Sequence, residues 1–482
     1  MIHVFWFRKN LRLKDNRTLL EFIKDVSDKN KFSFLYIKNS NTYRYFGEKR
    51  IIFLNECLTE LKNELNSFSF NLQIVEGKST EVFRSLTDNY GKLRVYADLQ
   101  VEPYCIQRDE KINSLIKNND GDFLKFGDST IFDFNEVKNG EGSHYKVFTP
   151  FKNEALRILN AEHYKTPDSD LSVLEKKNET VLKDLKNYNP ESSEQESFKT
   201  KIIKGGRTEG LNLLKNFYLN KINEYKTNRD FPDKDGTSLL SAHLHFGTVG
   251  IREALKTAIN KLEKCKSEKD QGEIQTWINE LLWREFYYHI TFHNPKIMHE
   301  SFKSIYDKVR WNYDEDNFKN WCDGMTGYPI VDAGMRQLKK EGWMHNRVRM
   351  ITAMFLTKDL MTDWRMGEKY FAENLIDMDF SSNNGGWQWS ASTGVDAQPY
   401  FRIFNPYLQS KKFDTNGNYI RKYVPELKNI PNEFIHEPDK MNIEKQRFYK
   451  VIIGKDYPSP IVDHYSAKEI VIKRFREATV NN

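Results

Sequence analysis

Apolar residues in the first 130 positions follow two patterns that alternate along the chain. Short, nearly continuous apolar runs such as Ile2 to Phe7 are typical of strands buried in a parallel sheet. Between these runs, apolar residues recur every three or four positions, as at Ile51, Leu54 and Leu58, which predicts helices. The apolar runs predict five strands, at residues 2–7, 31–37, 71–75, 93–97 and 122–126. The alternation predicts an α/β domain over residues 1–130, built on a doubly wound parallel five-stranded sheet.

The pattern changes further along the chain. Residues 131–205 include a long polar and charged stretch, and we interpret them as a linker between domains. From residue 206 the apolar spacing is mostly helical, which predicts a mainly α-helical domain over residues 206–475. The predicted helices of this domain lie at 206–225, 274–292, 329–340 and 346–359. The predicted loops lie at 229–241, 310–330 and 379–410.

The stretch at residues 377–406 departs from both patterns. It contains two adjacent glycines followed by Trp387 and Trp389, and it lacks a sustained apolar stripe. We therefore expect a loop here rather than a helix or a strand. Two interpretations stay open. The stretch is a wall around a flat, polar, aromatic ligand, which glycine would allow to approach closely, or it is a surface loop with two core tryptophans.

Composition narrows the class of protein only slightly. The chain has 482 residues, a formal net charge of +6 and 14% aromatic residues, which permits a polyanionic partner without requiring one. Its four cysteines form no CxxC pair, and this favours a reducing, intracellular compartment over a disulfide framework. The apolar start turns charged too early for a secretory segment, and no window approaches about 18 uninterrupted apolar residues. We therefore expect a cytoplasmic protein that does not span a membrane.

The most aromatic predicted helix carries a candidate binding face. Spacings of three and four place Trp277, Glu280, Arg284 and Tyr287 broadly along one side, with Trp283 beside them. One interpretation is a carboxylate among rings that face a ligand, because an unpaired buried carboxylate is costly. The other is a Glu280–Arg284 ion pair beside tryptophans that only pack.

A hydroxyl-rich segment suggests an anion site. Thr237, Ser238 and Ser241 lie where a loop leads into a predicted helix. Their hydroxyls and the backbone amides form an anion cradle, or they simply cap the helix. Tyr225 and Arg229 lie just upstream and would complete a site for a diphosphate and a base.

A third cluster resembles a metal site only superficially. Glu285, His289 and His293 are spaced four residues apart on a predicted helix. Their order does not match HExxH, and no further ligand cluster accompanies them. We expect no metal site.

Ten motifs, spread over nearly the whole chain, resemble the photolyase/cryptochrome family of flavoproteins. Within that family, the sequence is most similar to the class I cyclobutane pyrimidine dimer DNA photolyases. The motifs are, in order, IHVFWFRKNLRLKDN, YKVFTPFKN, RDFP, GTSLLS, WINELLWREFY, TGYPIVDAGMRQL, GWMHNRVRMI, DWRMGEKYF, DMDFSSNNGGWQW and YFRIFNP.

The resemblance implies that FAD binds in the helical domain. It places the FAD phosphates at the hydroxyl-rich segment and the ribose and ring system at the acidic stretch near residue 377. Asn383 would face flavin N5, where an amide favours a flavin that reaches the fully reduced state. The implied FAD-binding residues are Tyr225, Thr237, Ser238, Leu239, Leu240, Ser241, Trp277, Arg284, Asn346, Asp377, Met378, Asp379 and Asn383.

The implied reaction is the light-driven repair of cyclobutane pyrimidine dimers in DNA by a deoxyribodipyrimidine photo-lyase, a carbon–carbon lyase. Excited reduced FAD gives an electron to the flipped-out dimer, the cyclobutane ring splits, and the electron returns. The implied catalytic residues are Glu280, Trp283, Asn346, Met350, Asn383 and Trp389. The implied electron-transfer residues are Trp387, Trp364 and Trp311. The implied DNA-binding residues are Arg229, Glu280, Trp283, Tyr287, Asn346, Arg347, Trp389, Arg402 and Gln409.

The sequence departs from the family pattern at two places. Leu239 stands where the family often has an arginine, so one contact to the cofactor would be lost. Tyr104 and Cys105 align with the Asn-Glu pair that holds folate in folate-type relatives. The antenna chromophore of the N-terminal domain therefore stays open. It is methenyltetrahydrofolate held differently, a deazaflavin, another flavin, or none.

The main alternative function is that of a blue-light-sensing cryptochrome with the same fold and FAD. Two features favour a photolyase: the segment after Ile472 is short, and the residues implied to bind the dimer are all present, namely Glu280, Trp283, Asn346, Met350 and Trp389. The sequence Met344-His345-Asn346 favours the cyclobutane dimer over the (6-4) product, whose photolyases use a histidine pair there. A flavin-free nucleic-acid-binding module is a third possibility. We expect a monomer that acts on dimer-containing DNA and requires no protein partner.

Overall fold

The structure is a computed structural model, and it describes residues 1–26, 30–191 and 203–480. The chain divides into two compact units. Unit 1 comprises Met1–Asn223 and Ser238–Pro295, and unit 2 comprises Glu224–Thr237 and Lys296–Asn482. Part of the predicted linker, residues 192–202, lies outside the described residues. The predicted domain boundaries stay predictions.

Unit 1 contains the predicted five-stranded sheet. Its strand order is β3-β2-β1-β4-β5, and all four neighbouring pairs are parallel. The strand order reverses between β1 and β4, as in doubly wound folds. The predicted fold class is therefore confirmed. The strands are β1 (Ile2–Phe7), β2 (Lys31–Asn39), β3 (Leu72–Gly77), β4 (Leu93–Asp98) and β5 (Asp122–Phe126).

Strand β1 is central because both of its faces are apolar. All six of its residues are buried. Val4 and Trp6 belong to the apolar cluster on one side of the sheet. On the other side, the Phe5 ring packs against Phe22 at 5.5 Å between ring centroids. Successive side chains of a strand point to opposite faces, so a continuous apolar run requires cover on both sides.

Helices make up most of the remaining described chain. Helix α8 and helices α12 to α20 belong to unit 2, and the others belong to unit 1. The helices are α1 (Arg17–Asp25), α2 (Ser40–Tyr43), α3 (Glu48–Ser67), α4 (Ser79–Tyr90), α5 (Pro103–Lys117), α6 (Phe148–Ile158), α7 (Arg207–Asn220), α8 (Tyr225–Asn228), α9 (Ser241–Phe246), α10 (Ile251–Lys264), α11 (Glu268–His293), α12 (Glu315–Asp323), α13 (Pro329–Glu341), α14 (Asn346–Met354), α15 (Trp364–Asn374), α16 (Phe380–Ala391), α17 (Pro406–Phe413), α18 (Asn418–Tyr423), α19 (Ile443–Tyr449) and α20 (His464–Val480).

The loop predicted at 379–410 is wrong over its first half, because residues Phe380–Ala391 form helix α16. The Asp379 side chain caps this helix by accepting a hydrogen bond from the Ser382 amide at 2.9 Å. An apolar stripe is absent because α16 buries small and polar side chains, among them Ser381 and Asn384, on several sides. A helix that is polar and buried gives no amphipathic signal.

The loop predicted at 310–330 is also partly wrong. Residues Glu315–Asp323 form α12, which Asp314 caps and which ends at Gly324 in a left-handed conformation. The helix predicted at 346–359 is confirmed with a change of type, since α14 continues as a π-helix over Phe355–Asp359. The prediction of a loop before Ser241 is confirmed, because α9 starts there.

The predicted linker contains ordered structure in its described part. Helix α6 lies within it and packs against α11. Further along, Phe32 and Glu179 form a β-bridge at the sheet. This segment therefore packs on unit 1 over much of its described length.

Unit 2 has an aromatic core made of its own helices. Trp321, Trp364 and Trp387 are buried in one cluster, and Trp311 packs against it while partly exposed. None of the helices among residues 1–26, 30–191 and 203–480 combines the length and the hydropathy of a membrane span.

Candidate functional site

The carboxyl end of the sheet is closed by ion pairs. Arg8, directly after β1, donates two hydrogen bonds to Asp109, of 2.8 and 2.9 Å. Arg252 donates to Asp15 at 3.1 Å and to Asp128 at 2.8 Å. Burial alone would raise the pKa of Asp128, but the nearby arginines outweigh that effect and the pKa is lowered. Ligands of doubly wound folds usually bind at this reversal of strand order, and here the protein's own charges fill it.

Helix α11 carries the predicted aromatic face within unit 1. Trp277 is buried and packs against Phe217 at 4.9 Å. Arg284 donates a hydrogen bond of 2.6 Å to the Ser129 carbonyl, and its guanidinium lies 4.3 Å from the centroid of the Tyr288 ring. Arg284 is therefore held in place by groups of its own unit.

Trp283 is stacked face to face on a residue of helix α6. The ring centroids of Phe148 and Trp283 are 3.7 Å apart, and the rings are inclined by only 11°. Phe148 is buried, whereas Trp283 remains half-buried, as do Glu280 and Tyr287 of the same helix. Tyr287 lies 5.7 Å from Trp283. Three of the predicted substrate-contacting residues thus keep an accessible part.

Glu285 has a structural role in unit 1. Its buried carboxylate accepts hydrogen bonds of 3.0 Å from the amides of Ile131 and Phe132. His293 lies 2.9 Å from the Phe134 carbonyl. These contacts give Glu285 and His293 partners outside the superficial metal motif, whereas the ring nitrogens of His289 are buried without a hydrogen-bond partner. Among the described residues, no group of three or more acidic, histidine or cysteine side chains has the geometry of a metal site.

The predicted phosphate loop contains a strained residue. Leu239 has a φ of 56°, in the left-handed region that a branched aliphatic side chain rarely adopts. The next residue, Leu240, precedes α9 and is buried. Strain of this kind persists only where the surrounding structure requires it, and it is common at binding sites.

The predicted DNA-contacting arginines of unit 2 differ in their surroundings. Arg347 donates a hydrogen bond of 2.9 Å to Asp230, and its guanidinium lies 4.3 Å from the centroid of the Phe413 ring. The Arg229 guanidinium lies 5.5 Å from the ring of Tyr225, which is buried. Arg402, by contrast, is exposed.

Helix α14 aligns two predicted site residues and one that the sequence analysis did not assign. The Asn346 amide lies 3.8 Å from the Met350 sulfur, one turn along the same face. Arg349 donates to Asp377 at 2.8 Å and to the Met344 carbonyl at 2.7 Å. The pair fixes one carboxylate oxygen of Asp377, and the other is buried without a partner.

Helix α16 presents two asparagines to a carboxylic acid on α15. Asn383 donates to the Glu368 carbonyl at 3.1 Å, and Asn384 donates to the Glu368 carboxylate at 3.0 Å. Burial raises the pKa of Glu368 to about 7, against a smaller opposing effect of the hydrogen bond from Asn384. The carboxyl group is therefore partly protonated near neutral pH.

The two tryptophans of α16 point in nearly opposite directions. Residues two positions apart in an α-helix are separated by about 200° of rotation around the helix axis. Trp387 is buried against Phe371 at 4.9 Å, and its ring leaves no room for a Cβ at Gly367. Trp389 is only half-buried and lies 6.5 Å from Phe404.

The three predicted electron-transfer tryptophans lie in one region of unit 2. Trp387 and Trp364 are buried in the same core cluster, and Trp311 packs against that cluster while partly exposed. The indole nitrogens of Trp364 and Trp387 are buried without a hydrogen-bond partner. The arrangement thus contains two inner rings and one ring that reaches the surface.

Two family models match the chain. The model described as DNA photolyase matches residues 3–171, and the model described as FAD binding domain of DNA photolyase matches residues 277–477. The chain belongs to the photolyase/cryptochrome family. A deoxyribodipyrimidine photo-lyase of Alkalihalophilus pseudofirmus is 36% identical over 484 residues, which cover 98% of this chain and 97% of that relative.

Two solved photolyase structures have the same fold. A bacterial class III photolyase from Agrobacterium tumefaciens superposes with a TM-score of 0.88 at 33% identity, covering 99% of this chain and 97% of that one. An archaeal photolyase from Sulfolobus tokodaii, described with two FAD molecules, superposes with a TM-score of 0.82 at 31% identity, covering 99% and 100%. This member of the family is therefore an enzyme of the photo-lyase class, which repairs DNA with light.

The residues around α16 fit the FAD that this family domain binds. The free Asp377 oxygen and the Ser381 hydroxyl are buried polar atoms without partners, which native structures rarely leave unexplained. Apart from the backbone of its own helix, a Cβ built at Gly386 would have no neighbouring atom of the described residues within 4 Å. A flat ligand with hydrogen-bonding edges would use both the polar atoms and the space.

The photolyase site includes residues that the sequence analysis did not assign. Arg349 was detectable, because it follows Asn346 by three positions on one helix. Glu368 lies in the motif DWRMGEKYF, but its role was not deducible, since its contact with Asn384 joins two helices. Phe148 lies in the motif YKVFTPFKN, but its contact with Trp283 joins two separate helices, and the predicted linker includes its segment.

Proposed function

We propose that this photolyase repairs cyclobutane pyrimidine dimers in DNA, as in the class I enzymes. The observation that carries the proposal is the geometry of α16, which holds the buried Trp387 and the half-buried Trp389 on opposite sides of one helix. A single element can therefore serve an interior electron path and an accessible substrate surface. When bound and reduced, FAD supplies an electron on excitation by light.

The accessible aromatic residues would bind the substrate. Trp283 and Trp389 stack on the flipped-out bases, at very roughly 1–3 kcal/mol per base. Glu280 accepts or donates a hydrogen bond at the dimer, and Asn346 and Met350 contact the same lesion. Arg229, Tyr287, Arg347, Arg402 and Gln409 meet the nucleic acid around it.

The interior residues would serve the cofactor. Asn383 presents its amide toward the ring system while its Nδ2 donates to the Glu368 carbonyl. Asp377, Met378 and Asp379 line one edge. The proposed phosphate and adenine contacts are Tyr225, Thr237, Ser238, Leu239, Leu240, Ser241, Trp277 and Arg284. Trp311, Trp364 and Trp387 carry electrons inward from the surface.

A second chromophore in the N-terminal domain stays a prediction, as methenyltetrahydrofolate or a deazaflavin. The Sulfolobus tokodaii photolyase is described with two FAD molecules and a light-harvesting role, which supports a flavin as a further candidate. At the position of the folate-binding pair, the Tyr104 hydroxyl accepts hydrogen bonds from Asn39 and Asn41, at 3.0 and 3.4 Å. Spectra of chromophores extracted from the purified protein would identify the antenna.

The test of the proposal is dimer repair by purified, FAD-loaded protein. Near-UV or blue light with a reductant should convert thymine-dimer DNA to intact thymines, while DNA with (6-4) products stays unchanged. Glu280→Ala should lower the yield with FAD still bound, and Glu280→Gln should retain more of it because it keeps a hydrogen-bonding group. FAD-loaded protein that leaves cyclobutane dimers intact in the light would rule the proposal out.

The cryptochrome alternative has weaker support. The matching family models and the curated relative are described as photolyases. A monomeric, cytoplasmic enzyme without an obligatory protein partner stays a prediction, and sedimentation of the purified protein would measure its oligomeric state.

A further inference from the structure

The side chains of His144, Phe148 and Phe151 form a row of aromatic rings that packs along helix α11. His144 stacks on His293, with ring centroids 4.5 Å apart and rings inclined by 6°. Phe151 is buried and lies 5.3 Å from Phe286. Phe148 lies between these two anchors in sequence. The segment is therefore fixed to α11 on both sides of Phe148.

The Phe148–Trp283 pair is the closest contact of this row. The centroid distance of 3.7 Å and the inclination of 11° mean that one face of the indole is covered by a phenyl ring. An indole has two faces, so a base that stacks on Trp283 has only the other one available. Phe148 is 6% exposed, so its ring is held by the surrounding core and can resist rotation of its partner.

A stacked partner limits the rotamers that a half-buried tryptophan can adopt. Aromatic pairs contribute free energy beyond their buried area, and a ring that is already oriented loses less entropy on binding. We propose that Phe148 is a positioning residue, which holds the indole of Trp283 in the orientation that receives the flipped-out base. This inference rests on the proposed function, in which Trp283 stacks on the pyrimidine dimer.

The test compares dimer binding by matched variants in the dark. Phe148→Leu keeps an apolar side chain of similar size but removes the flat ring. Phe148→Tyr keeps the ring and should retain wild-type binding. Phe151→Leu is the control, because Phe151 lies on the same helix and is also buried against α11, but its ring contacts are with Tyr145, Phe286 and His289 rather than with Trp283.

We expect Phe148→Leu to weaken binding of FAD-loaded protein to DNA with one thymine dimer by about 2- to 10-fold, the range of one aromatic pair. Binding to undamaged DNA should stay unchanged, and Phe151→Leu should not alter the ratio of the two affinities. FAD content and thermal unfolding of each variant show whether it is folded. If Phe148→Leu does not fold, Phe148→Met replaces it, with the same expectation.

A double-mutant cycle separates this inference from the proposed function. In a Trp283→Ala background, Phe148→Leu should have no further effect on dimer binding, because its partner is absent. If Trp283→Ala alone leaves dimer binding unchanged, the proposed role of Trp283 fails and the inference fails with it. If Trp283→Ala weakens binding but Phe148→Leu matches Phe151→Leu or acts independently of Trp283, only the inference is overturned. Tighter binding by Phe148→Leu would also overturn it, because Phe148 would then compete with the base.

Discussion

The carboxyl end of the sheet and the surroundings of α16 are both rich in buried polar groups, but the protein pairs them to different degrees. At the sheet end, Arg8 and Arg252 pair with Asp109, Asp15 and Asp128 of the same unit. Around α16, buried polar atoms remain without protein partners, among them an oxygen of Asp377, the Ser381 hydroxyl and the indole nitrogens of Trp364 and Trp387.

The difference separates a structural network from a binding site. The sheet-end charges are paired within unit 1, although Arg8 Nε and Asp15 Oδ2 have no hydrogen-bond partner. Around α16, by contrast, whole polar groups such as the Ser381 hydroxyl lack a partner, and unpaired buried groups carry a cost that a ligand can remove. The fold family alone would suggest the sheet end as a nucleotide site. The hydroxyl and indole groups without partners direct attention to the helical unit instead, in agreement with the match of the FAD-binding family model.

The largest expected effect comes from breaking the sheet-end network. Arg252→Leu leaves Asp15 and Asp128 with less charge compensation in a buried site, and we expect a loss of about 3–5 kcal/mol in the free energy of unfolding. Denaturant unfolding measures it. Arg157→Ala is the control, because its ion pair with Glu154 is exposed and should contribute little. An equal, small effect of both substitutions would contradict the structural role of the network.

The next effect concerns the packing of α16 on α15. A Cβ at Gly367 would lie 2.1 Å from Trp387, so Gly367→Ala must displace the indole. Overpacking of this kind typically costs about 1–3 kcal/mol. Unfolding experiments should show this loss, and light-driven reduction of bound FAD should slow. Gly272→Ala, in open space on α11, should show neither change.

Glu368 near α16 and Asp109 at the sheet end should also respond differently to pH. The pKa of Glu368 is raised to about 7 by burial, so the unfolded chain loses this proton at a lower pH than the folded one. The contribution of Glu368 to the free energy of unfolding is complete below about pH 4.5. It is lost as the pH rises through 7, by up to about 2 kcal/mol after allowance for partial exposure. Glu368→Gln should remove this dependence, measured by urea unfolding from pH 5 to 8.

The matched control is Glu373→Gln on the same helix, because Glu373 is more exposed and lies 3.9 Å from Lys369. It should leave the pH dependence unchanged. At the sheet end, the pKa values of Asp109 and Asp128 are shifted in the opposite direction, whereas burial raises the pKa of Asp98. Burial would raise the pKa of Asp109, yet Arg8 and Arg108 lower it overall. Its contribution is present above about pH 4 and is lost only in acid.

The smallest effect tests whether a ligand fills the space beside α16. Gly386→Ala replaces a helical glycine and should stabilise FAD-free protein by about 0.5–1 kcal/mol. If FAD lies against this position, the same substitution should weaken FAD retention, which fluorescence of released flavin measures. Unchanged retention would place the flavin elsewhere.

Periodicity predicted the parts of the fold whose cores are apolar. The buried run of β1 and the spacing along α11 were both informative, because one face or both faces of these elements pack on apolar side chains. Helix α16 was missed because most of its buried side chains are small or polar. The Phe148–Trp283 contact was beyond reach, since nothing in the sequence relates two residues 135 positions apart.

Helix α16 also constrains how this sequence can vary. Trp387 and Trp389 face opposite ways only because one residue separates them, at about 100° of rotation per residue. An insertion between them would turn one indole by a further 100° and misalign either the interior or the accessible ring. Insertions and deletions should therefore be excluded from this turn. The helical phase of two side chains, rather than their identity alone, is what this segment has to preserve.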